Sequence, residues 1–250
     1  MKIVVIGGTG LIGHNVVARL SEHGHDAVGA APSTGVNSIT GEGLKEVLQG
    51  ADVLIDVSNS PSFADDDVLE FFRTSTGNLV EAANGAGVKH YVALSIVGID
   101  RTTDFGYFRA KVAQEKLIKE SGLPYSIVRA TQFFEFAVAT ADSATVDGVV
   151  RLPHGGVQPI AAAEVSSAVA RTAAGTPTNA TNEIAGPEAF GLDEWVRTVL
   201  TARSDPREVI ADPKARYFGG VPGPATLLPG PDAHLAQTTL AGWLAAQHEK

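Results

Sequence analysis

The chain of 250 residues contains no cysteine, one methionine and only 6% aromatic residues. The absence of cysteine excludes disulfides and thiolate chemistry, and it fits a reducing compartment. No run approaches the ~20 apolar residues that a membrane-spanning helix needs. The first apolar run is also too short for a secretion signal. We therefore expect a cytoplasmic protein that contacts no membrane.

Positive charge is scarce as well. The sequence holds 19 Lys and Arg residues against 28 Asp and Glu residues, a net charge of −9. Because no basic cluster offsets this excess, the composition argues against a nucleic-acid partner. The histidines show no metal-ligand spacing and no accompanying carboxylate cluster, so we expect no metal site. A small-molecule substrate is the partner that remains.

The most informative segment is the glycine-rich loop GGTGLIG at residues 7–13, which follows the apolar run KIVVI directly. Such a run predicts a strand buried on both faces. The glycines let the backbone turn tightly and approach a pyrophosphate, and a helix begun near Leu11 aims its free N–H groups at that phosphate. The spacing G-x-x-G-x-x-G is one residue from the usual fingerprint, so a simple packing turn is the alternative. The position between strand and helix favours a dinucleotide site, with contacts at Gly7, Thr9, Gly10, Leu11, Ile12 and Gly13.

Strand and helix patterns alternate along the first 130 residues, which predicts a parallel sheet covered on both faces. Strands are predicted at 2–6, 26–30, 38–40, 51–57, 90–95 and 125–129, and helices at 11–20, 44–49, 65–86 and 107–119. The fold class is α/β, a Rossmann-type doubly wound parallel sheet with a small C-terminal substrate-binding portion.

Beyond residue 130 the pattern changes. Helices are predicted at 133–141, 161–174 and 192–202, and strands at 148–152, 157–160 and 182–185. Residues 218–231, rich in proline and glycine, predict a loop that acts as a mobile lid. We assign 1–130 to a dinucleotide-binding core and 131–250 to a smaller substrate-binding portion, packed on the core as a single compact unit.

Candidate catalytic residues follow the strand at 90–95. Tyr107 and Lys111 are four residues apart, so a helix places them on one face. A cation there favours the ionised phenol and lowers its pKa toward neutrality, which suits proton transfer during hydride transfer. Ser95, at the end of the strand, is placed to hydrogen-bond the same substrate oxygen. The alternative is a surface tyrosine beside a solvated lysine.

As a set, these segments resemble the short-chain dehydrogenase/reductase superfamily, and more narrowly its atypical NmrA-like branch of NAD(P)H-binding reductases. The matching segments, spread over residues 1 to about 200, are GGTGLIG at 7–13, DVS at 56–58, STGNLVEAA at 75–83, YVALS at 91–95, YFRAK at 107–111 and PYSIVRATQF at 124–133.

The resemblance implies a nicotinamide cofactor and residue roles. Tyr107 would be the acid/base, Lys111 its tuner and a ribose contact, and Ser95 the residue that orients the substrate oxygen. Further cofactor contacts are implied at Val57, Ser58, Asn59 and Thr131. Many members carry an asparagine early on the helix before the strand at 90–95, where this chain has Phe72, and we expect Asn78 to be a packing or buried polar residue of that helix rather than a catalytic one.

The choice of cofactor depends on the residues after the strand at 26–30. An acidic residue there would bind a 2′-hydroxyl and an arginine a 2′-phosphate, but the chain reads AAPSTG at 30–35. Without a carboxylate to repel the phosphate, Ser33 and Thr34 are candidates to cradle it, although the same residues are common in ordinary turns. We expect NADP rather than NAD.

The sequence therefore predicts an NADPH-dependent reductase that transfers hydride to a carbonyl or similarly polarised double bond. Phe133 is expected to line the site, which would make the small substrate apolar or aromatic. Two alternatives remain open: a non-catalytic NADP-sensing regulator, and an epimerase or dehydratase that retains NAD.

Overall fold

Strands and helices alternate through the chain, and the computed structural model describes residues 1–248. The strands are β1 (Lys2–Ile6), β2 (Asp26–Ala30), β3 (Val53–Asp56), β4 (His90–Ile96), β5 (Tyr125–Ala130), β6 (Thr145–Val146), β7 (Val149–Leu152), β8 (Gly156–Val157), β9 (Ala180–Ala185), β10 (Phe190–Gly191), β11 (Glu208–Ala211) and β12 (His234–Leu235). The helices are α1 (Leu11–Glu22), α2 (Leu44–Leu48), α3 (Asp65–Ala86), α4 (Gly106–Glu120), α5 (Ala137–Ser143), α6 (Ala162–Ala174), α7 (Leu192–Ala202) and α8 (Leu240–His248).

The central sheet has seven strands in the order β12-β9-β5-β4-β3-β1-β2. β1 pairs in parallel with both β2 and β3, and β3 pairs in parallel with β4. The chain thus moves from β1 to one side and returns to β3 on the other, which makes β1/β3 the switch point at which such sheets bind ligands. The predicted Rossmann-type α/β class is confirmed.

The register of the sheet decides which residues meet at its carboxyl edge. Ile6 pairs with both Ala30 and Asp56, and Asp56 pairs with Ala93. The residues that follow this row on the first three strands, namely Gly7, Ala31 and Val57, therefore leave the sheet side by side, whereas β4 continues to Ile96. The predicted site segments lie at one edge because of this register.

One predicted strand is wrong. Residues 38–40 form a turn rather than a strand, because side chains hydrogen-bond to the backbone N–H and C=O groups with which a strand would pair. The Asn37 side-chain oxygen accepts from Ile39 N at 2.9 Å and from Thr40 N at 3.3 Å. The Asn78 amide donates to Ser38 O at 2.8 Å and Ile39 O at 2.9 Å, so Asn78 has the packing role predicted for it.

The chain divides into two compact units that are not contiguous in sequence. The first contains residues 1–95, 106–129 and 165–182, and the second contains residues 96–105, 130–164 and 183–250. In the first unit, side chains of β1, β3 and β4 pack with α2 and α3 into a buried apolar cluster that includes Val4, Leu54, Leu79 and Tyr91.

The second unit contains a three-stranded sheet, β11-β7-β6, and the pair β10-β8. The segment 218–231 lies in this unit and has little regular structure, as predicted. Hydrogen bonds anchor it, since Pro224 O accepts from Gly156 N at 3.1 Å, Ala225 O accepts from Arg101 at 3.0 Å, and Gly230 N donates to Glu183 at 2.6 Å. These bonds argue against the mobile lid expected from composition.

A buried ion pair joins α4 to β5 within the first unit. The Arg129 guanidinium donates to both Glu115 carboxylate oxygens at 2.8 Å. Burial alone would raise the pKa of Glu115, but hydrogen bonds from Arg129 and Lys119 outweigh burial and hold that pKa below its ordinary value. The pair therefore contributes stability above the ordinary pKa of a glutamate, and this contribution is lost as the pH falls through the lowered value.

Removal of Arg129 alone should be costly, because Glu115 would remain buried without its main partner. We expect Arg129→Ala to lower the free energy of unfolding by roughly 3 kcal/mol at pH 7. The double variant Arg129→Met/Glu115→Leu, which removes both charges, should lose less. Urea unfolding of both variants and of the parent chain measures the difference. A single variant as stable as the double variant would contradict this account of the pair.

Candidate dinucleotide and proton-transfer site

Three glycines of the 7–13 loop are required by packing. Gly7 has φ +80°, and a Cβ there would lie 2.8 Å from Val57 O. A Cβ on Gly8 would lie 2.5 Å from Gly29 Cα, and one on Gly13 would overlap the Gly7 carbonyl. These contacts hold the loop against β2, β3 and the first turns of α1. Gly8, which the fingerprint spacing does not include, is thus as constrained as Gly13.

Gly10 differs from those three glycines. It has φ −80°, which any residue adopts, and the nearest atom to a Cβ there would be Gly7 O at 3.4 Å. Gly10 and its neighbours Thr9 and Leu11 are exposed, whereas Ile12 and Gly13 are buried. Gly10 is also the N-cap residue of α1, and no side chain in the described part of the chain hydrogen-bonds to the free N–H groups at this helix N-terminus. Packing within the protein does not demand glycine at this position, whereas the close approach of a pyrophosphate does.

The loop after β3 begins at a buried carboxylate. Asp56 is 1% exposed. Its Oδ1 accepts from Ser58 N at 3.0 Å and from the Ser58 hydroxyl at 2.6 Å. Its Oδ2 accepts from the Gln114 amide at 2.8 Å and the Tyr91 hydroxyl at 3.2 Å. The carboxylate therefore fixes the start of the 57–59 loop beside Gly7.

Tyr107 lies under this loop, on the first turn of α4. Its hydroxyl donates to the Asn59 side-chain oxygen at 2.6 Å. Its ring lies between Phe63 and Phe72, with centroid distances of 5.7 and 5.8 Å. Burial, with a smaller contribution from the negative charge of Asp56, raises the pKa of Tyr107 above its ordinary value. The expectation of a lowered phenol pKa is therefore wrong.

The Lys111 ammonium is bonded to other groups inside the protein. Its side chain is buried, and the ammonium donates to Leu94 O at 2.8 Å and to the Gln114 side-chain oxygen. It also lies 4.4 Å from the centre of the Phe72 ring, a cation–π contact. Burial lowers the pKa of Lys111 to about 8, although Asp56 and Glu115 oppose the shift. The ribose contact predicted for Lys111 stays a prediction, and the ammonium is hydrogen-bonded inside the protein.

Ser95 is placed with a different group. Ser95 is 3% exposed, and its hydroxyl, which lies near Glu115, has no hydrogen-bond partner among the described residues. Glu115 is two helical turns beyond Tyr107 on α4. The structure therefore brings Tyr107 together with Asn59 and places Ser95 near Glu115, and the substrate contact predicted for Ser95 stays a prediction.

The residues predicted to choose between NADP and NAD follow β2. Ser33 is exposed. The Thr34 hydroxyl accepts from Ala31 N at 2.9 Å and lies 3.0 Å from Ala31 O, within a 3-10 turn at Pro32–Thr34. Thr34 thus stabilises its own turn, and Ser33 is the more available of the two hydroxyls.

Two predicted site residues belong to the second unit. Thr131 is buried, and its hydroxyl donates to Gln158 O at 2.6 Å. Phe133 is half-buried and stacks on the exposed Phe136 at a centroid distance of 5.2 Å. The roles of Thr131 and Phe133 toward cofactor and substrate stay predictions.

Sequence reasoning missed the polar network that orients Lys111. Gln114 lies three residues after Lys111 on α4 and bridges it to Asp56. The i,i+3 spacing was a usable signal, as was an aspartate at the end of an otherwise apolar strand. The hydrogen bond between Asn59 and Tyr107 had no such signal, because 48 residues separate the partners.

Within residues 1–248, no three His, Cys, Asp or Glu side chains group as metal ligands. No helix in the same range is long and apolar enough to cross a membrane. The sheet topology and the glycine loop instead define the class of the molecule, a dinucleotide-binding protein of Rossmann type.

A family model described as NAD(P)H-binding matches residues 7–176, and the chain belongs to that family. The predicted resemblance to NmrA-like members of the atypical short-chain dehydrogenases/reductases is confirmed. The chain is 28% identical to the (4-alkanoyl-5-oxo-2,5-dihydrofuran-3-yl)methyl phosphate reductase of Streptomyces griseus subsp. griseus over 210 residues, which cover 77% of this chain and 70% of that protein. Other curated relatives are matched over about half of their length.

Solved structures share the fold. MoeE5, in complex with UDP-glucose and NAD, superposes with a TM-score of 0.76 at 20% identity, over 100% of this chain and 98% of that one. The NADPH-dependent quinone oxidoreductase QOR2 of Escherichia coli, complexed with NADPH, gives a TM-score of 0.67 at 23% identity, over 85% of this chain and 78% of that one. At these identities the likeness shows the fold alone.

The buried ammonium of Lys111 has a consequence for stability. Its pKa is about 8 in the folded chain and 10.5 ordinarily, so the unfolded chain binds more protons between these values. Stability should therefore rise with pH across this window. Relative to Lys111→Met, the parent chain should gain up to about 3 kcal/mol between pH 7 and pH 10, at ~1.4 kcal/mol per pKa unit. Urea unfolding across this range measures the gain.

Lys116→Met is the matched control for this measurement, since Lys116 is 70% exposed on the same helix. Its difference from the parent chain should not vary with pH. A constant difference for Lys111→Met as well would show that Lys111 does not carry the shift.

Proposed function

We propose that the chain is an NADPH-dependent reductase that reduces a carbonyl or similarly polarised double bond in a small apolar or aromatic substrate. The observation that carries the proposal is Gly10, an unstrained and sterically open glycine at the uncapped N-terminus of α1. Residues 7–13 and Ser58 would hold the cofactor, and a bound nicotinamide would supply the hydride. The relative from Streptomyces griseus, a reductase by its name, supports the choice of chemistry.

NADPH is favoured over NADH by the residues after β2. AAPST at 30–34 contains no carboxylate, so nothing in this turn repels a 2′-phosphate or binds a 2′-hydroxyl in its place. The exposed Ser33 would donate to the phosphate. Phe133 and the exposed Phe136, stacked on each other, would offer aromatic surface to the substrate.

Proton transfer is assigned to Tyr107. Reduction adds a hydride to the carbon and a proton to the oxygen, and the phenol hydroxyl is the proton donor. The raised pKa of Tyr107 keeps the phenol protonated at neutral pH, which suits a group that donates a proton.

A second candidate is a non-catalytic NADP-sensing protein. The observation that favours it is that the Lys111 ammonium is bonded to Leu94 O and Gln114, so the expected tuning of the phenol by a lysine has no support. Turnover separates the two candidates, as both bind the cofactor.

Gly10→Ala tests the cofactor site. The backbone at Gly10 tolerates a side chain, so the variant should melt within about 2 °C of the parent, whereas its methyl group should weaken NADPH binding at least tenfold by displacing the pyrophosphate. Gly77→Ala is the matched control, because Gly77 lies on α3 with nothing within 4 Å of an added Cβ. Calorimetric titration with NADPH and NADH measures both affinities, and NADPH should bind the parent chain more tightly. Equal NADPH binding by Gly10→Ala and the parent would refute the site.

Tyr107→Phe tests the chemistry. Loss of a general acid costs typically 10²- to 10⁴-fold, so kcat for NADPH oxidation with quinones, enones or aromatic aldehydes should fall at least about a hundredfold while the Kd for NADPH stays within twofold. Tyr125→Phe, on the first residue of β5, should retain the parent kcat. Undiminished turnover by Tyr107→Phe would sink the assignment, and no turnover by the parent chain on the whole panel would favour the sensing protein.

A further inference from the structure

The phenol of Tyr107 is held by the loop after β3. Asn59 and Phe63 come from the connection between β3 and α3, and Phe72 comes from α3 itself. Phe63 and Phe72 contact the ring, and the Asn59 side-chain oxygen lies 2.6 Å from the hydroxyl. The position of the hydroxyl therefore depends on Asn59 rather than on Lys111.

The direction of this hydrogen bond is determined by a third group. Ser60 N lies 3.0 Å from the same Asn59 Oδ1 atom. A backbone N–H only donates, so the atom it contacts is the amide oxygen and not the amide nitrogen. Because that oxygen only accepts, the Tyr107 hydroxyl must be the donor. The hydroxyl hydrogen points to Asn59, and the phenol is held in its neutral form.

The charged groups near the phenol agree with this state. Asp56 on β3 disfavours a phenolate. On α4, the Lys111 ammonium is bonded to Leu94 O and Gln114, and Arg109 pairs with Asp65 of α3 at 2.5 Å. Each of these cations is therefore bonded to another group rather than to the phenol oxygen. The hydroxyl proton of Tyr107 therefore lies among an amide oxygen, an aspartate and two aromatic rings. None of these groups lowers the phenol pKa, as Lys111 was expected to do.

We propose that Asn59 is the positioning residue for Tyr107, holding the phenol protonated and in place as a neutral acid for reduction. This inference rests on the proposed reductase function. A bound NADPH would supply a hydride to the substrate carbon and the π electron pair would move to the oxygen, while the Tyr107 O–H would turn from Asn59 to that oxygen and pass its proton to it. The C=O bond becomes CH–OH, NADP⁺ is the oxidised product, and the phenolate takes a proton from water. Asn59 then accepts the restored O–H.

The test compares Asn59→Ala with Asn59→Asp in chains containing 3-fluorotyrosine, whose phenol ionises at lower pH than tyrosine. The chain has four tyrosines, and the ¹⁹F resonance of position 107 is the one lost in Tyr107→Phe. Asn59→Ala removes the acceptor for the neutral form, so its titration midpoint should fall by about one pH unit, on the order of one hydrogen bond. Asn59→Asp adds a negative charge, so its midpoint should rise.

Asn84→Ala is the matched control, because Asn84 is exposed near the end of α3 and donates to Ser121 O at 3.4 Å. It should leave the midpoint unchanged. Midpoints that coincide for the parent and both Asn59 variants, or that move in the same direction, would overturn the proposal. So would Asn59→Ala with weaker NADPH binding and an unmoved midpoint, since Asn59 would then be only a cofactor contact.

The titration needs neither substrate nor NADPH, so it separates this inference from the reductase proposal. If the chain is a reductase, the alkaline limb of its kcat profile should move with the ¹⁹F midpoint in each variant. If the midpoint falls in Asn59→Ala and rises in Asn59→Asp but the chain shows no turnover, the result would support the positioning role of Asn59 and count against the reductase chemistry.

Discussion

The buried carboxylate of Asp56 is the constraint on which the arrangement of the site depends. A carboxylate removed from water requires hydrogen-bond donors, and here they come from three elements: Ser58 at the start of the following loop, Tyr91 on β4 and Gln114 on α4. The Gln114 amide nitrogen donates to Asp56, and this bond orients the side chain of Gln114. The amide oxygen of Gln114 then accepts from the Lys111 ammonium. The same negative charge raises the pKa of Tyr107. One aspartate at the end of β3 thus fixes the start of the 57–59 loop, turns the lysine inward and disfavours the phenolate.

The glycines of the loop at 7–13 have two different physical explanations, packing within the protein and the approach of a ligand, which the sequence motif alone does not separate. Gly7, Gly8 and Gly13 are explained by the protein itself, because a Cβ at each would collide with the backbone of the loop or of β2 and β3. Gly10 has no such neighbour. A loop built only for packing would tolerate a side chain there, so the open position beside the N–H groups of α1 is better explained by a ligand than by the fold. This distinction favours a ligand over the alternative that the spacing left open, a simple packing turn, and the cofactor contact at Gly10 stays a prediction.

The sequence was sufficient for those parts of the fold that depend on local pattern. The apolar run before Gly7 and the 22-residue α3 were predicted because a strand buried on both faces is a continuous apolar run and an amphipathic helix has a helical spacing of apolar residues. The false strand at 38–40 failed because Asn78, 38 residues beyond Thr40, bonds the carbonyls of that segment. The prediction of the site was wrong for the same reason, namely that distant residues decide the hydrogen bonds. Helical spacing correctly placed Tyr107 and Lys111 one turn apart, but the direction of each side chain was decided by Asn59, Gln114 and Leu94, which lie elsewhere in the chain.

The electrostatics of the phenol bear on the direction of the chemistry. Removal of a proton from an alcohol needs a base, and a tyrosine acts as one only if its phenolate is populated near neutral pH. A cation bonded to the phenol oxygen would achieve this, but Asn59 supplies an acceptor for the hydroxyl hydrogen, and both burial and Asp56 favour the neutral form. A neutral phenol holds a proton that it gives up only to a stronger acceptor, such as the oxyanion that forms when a carbonyl receives a hydride. The residues that depart from the expected tyrosine–lysine pair therefore support the proposed role of Tyr107 as a neutral proton donor.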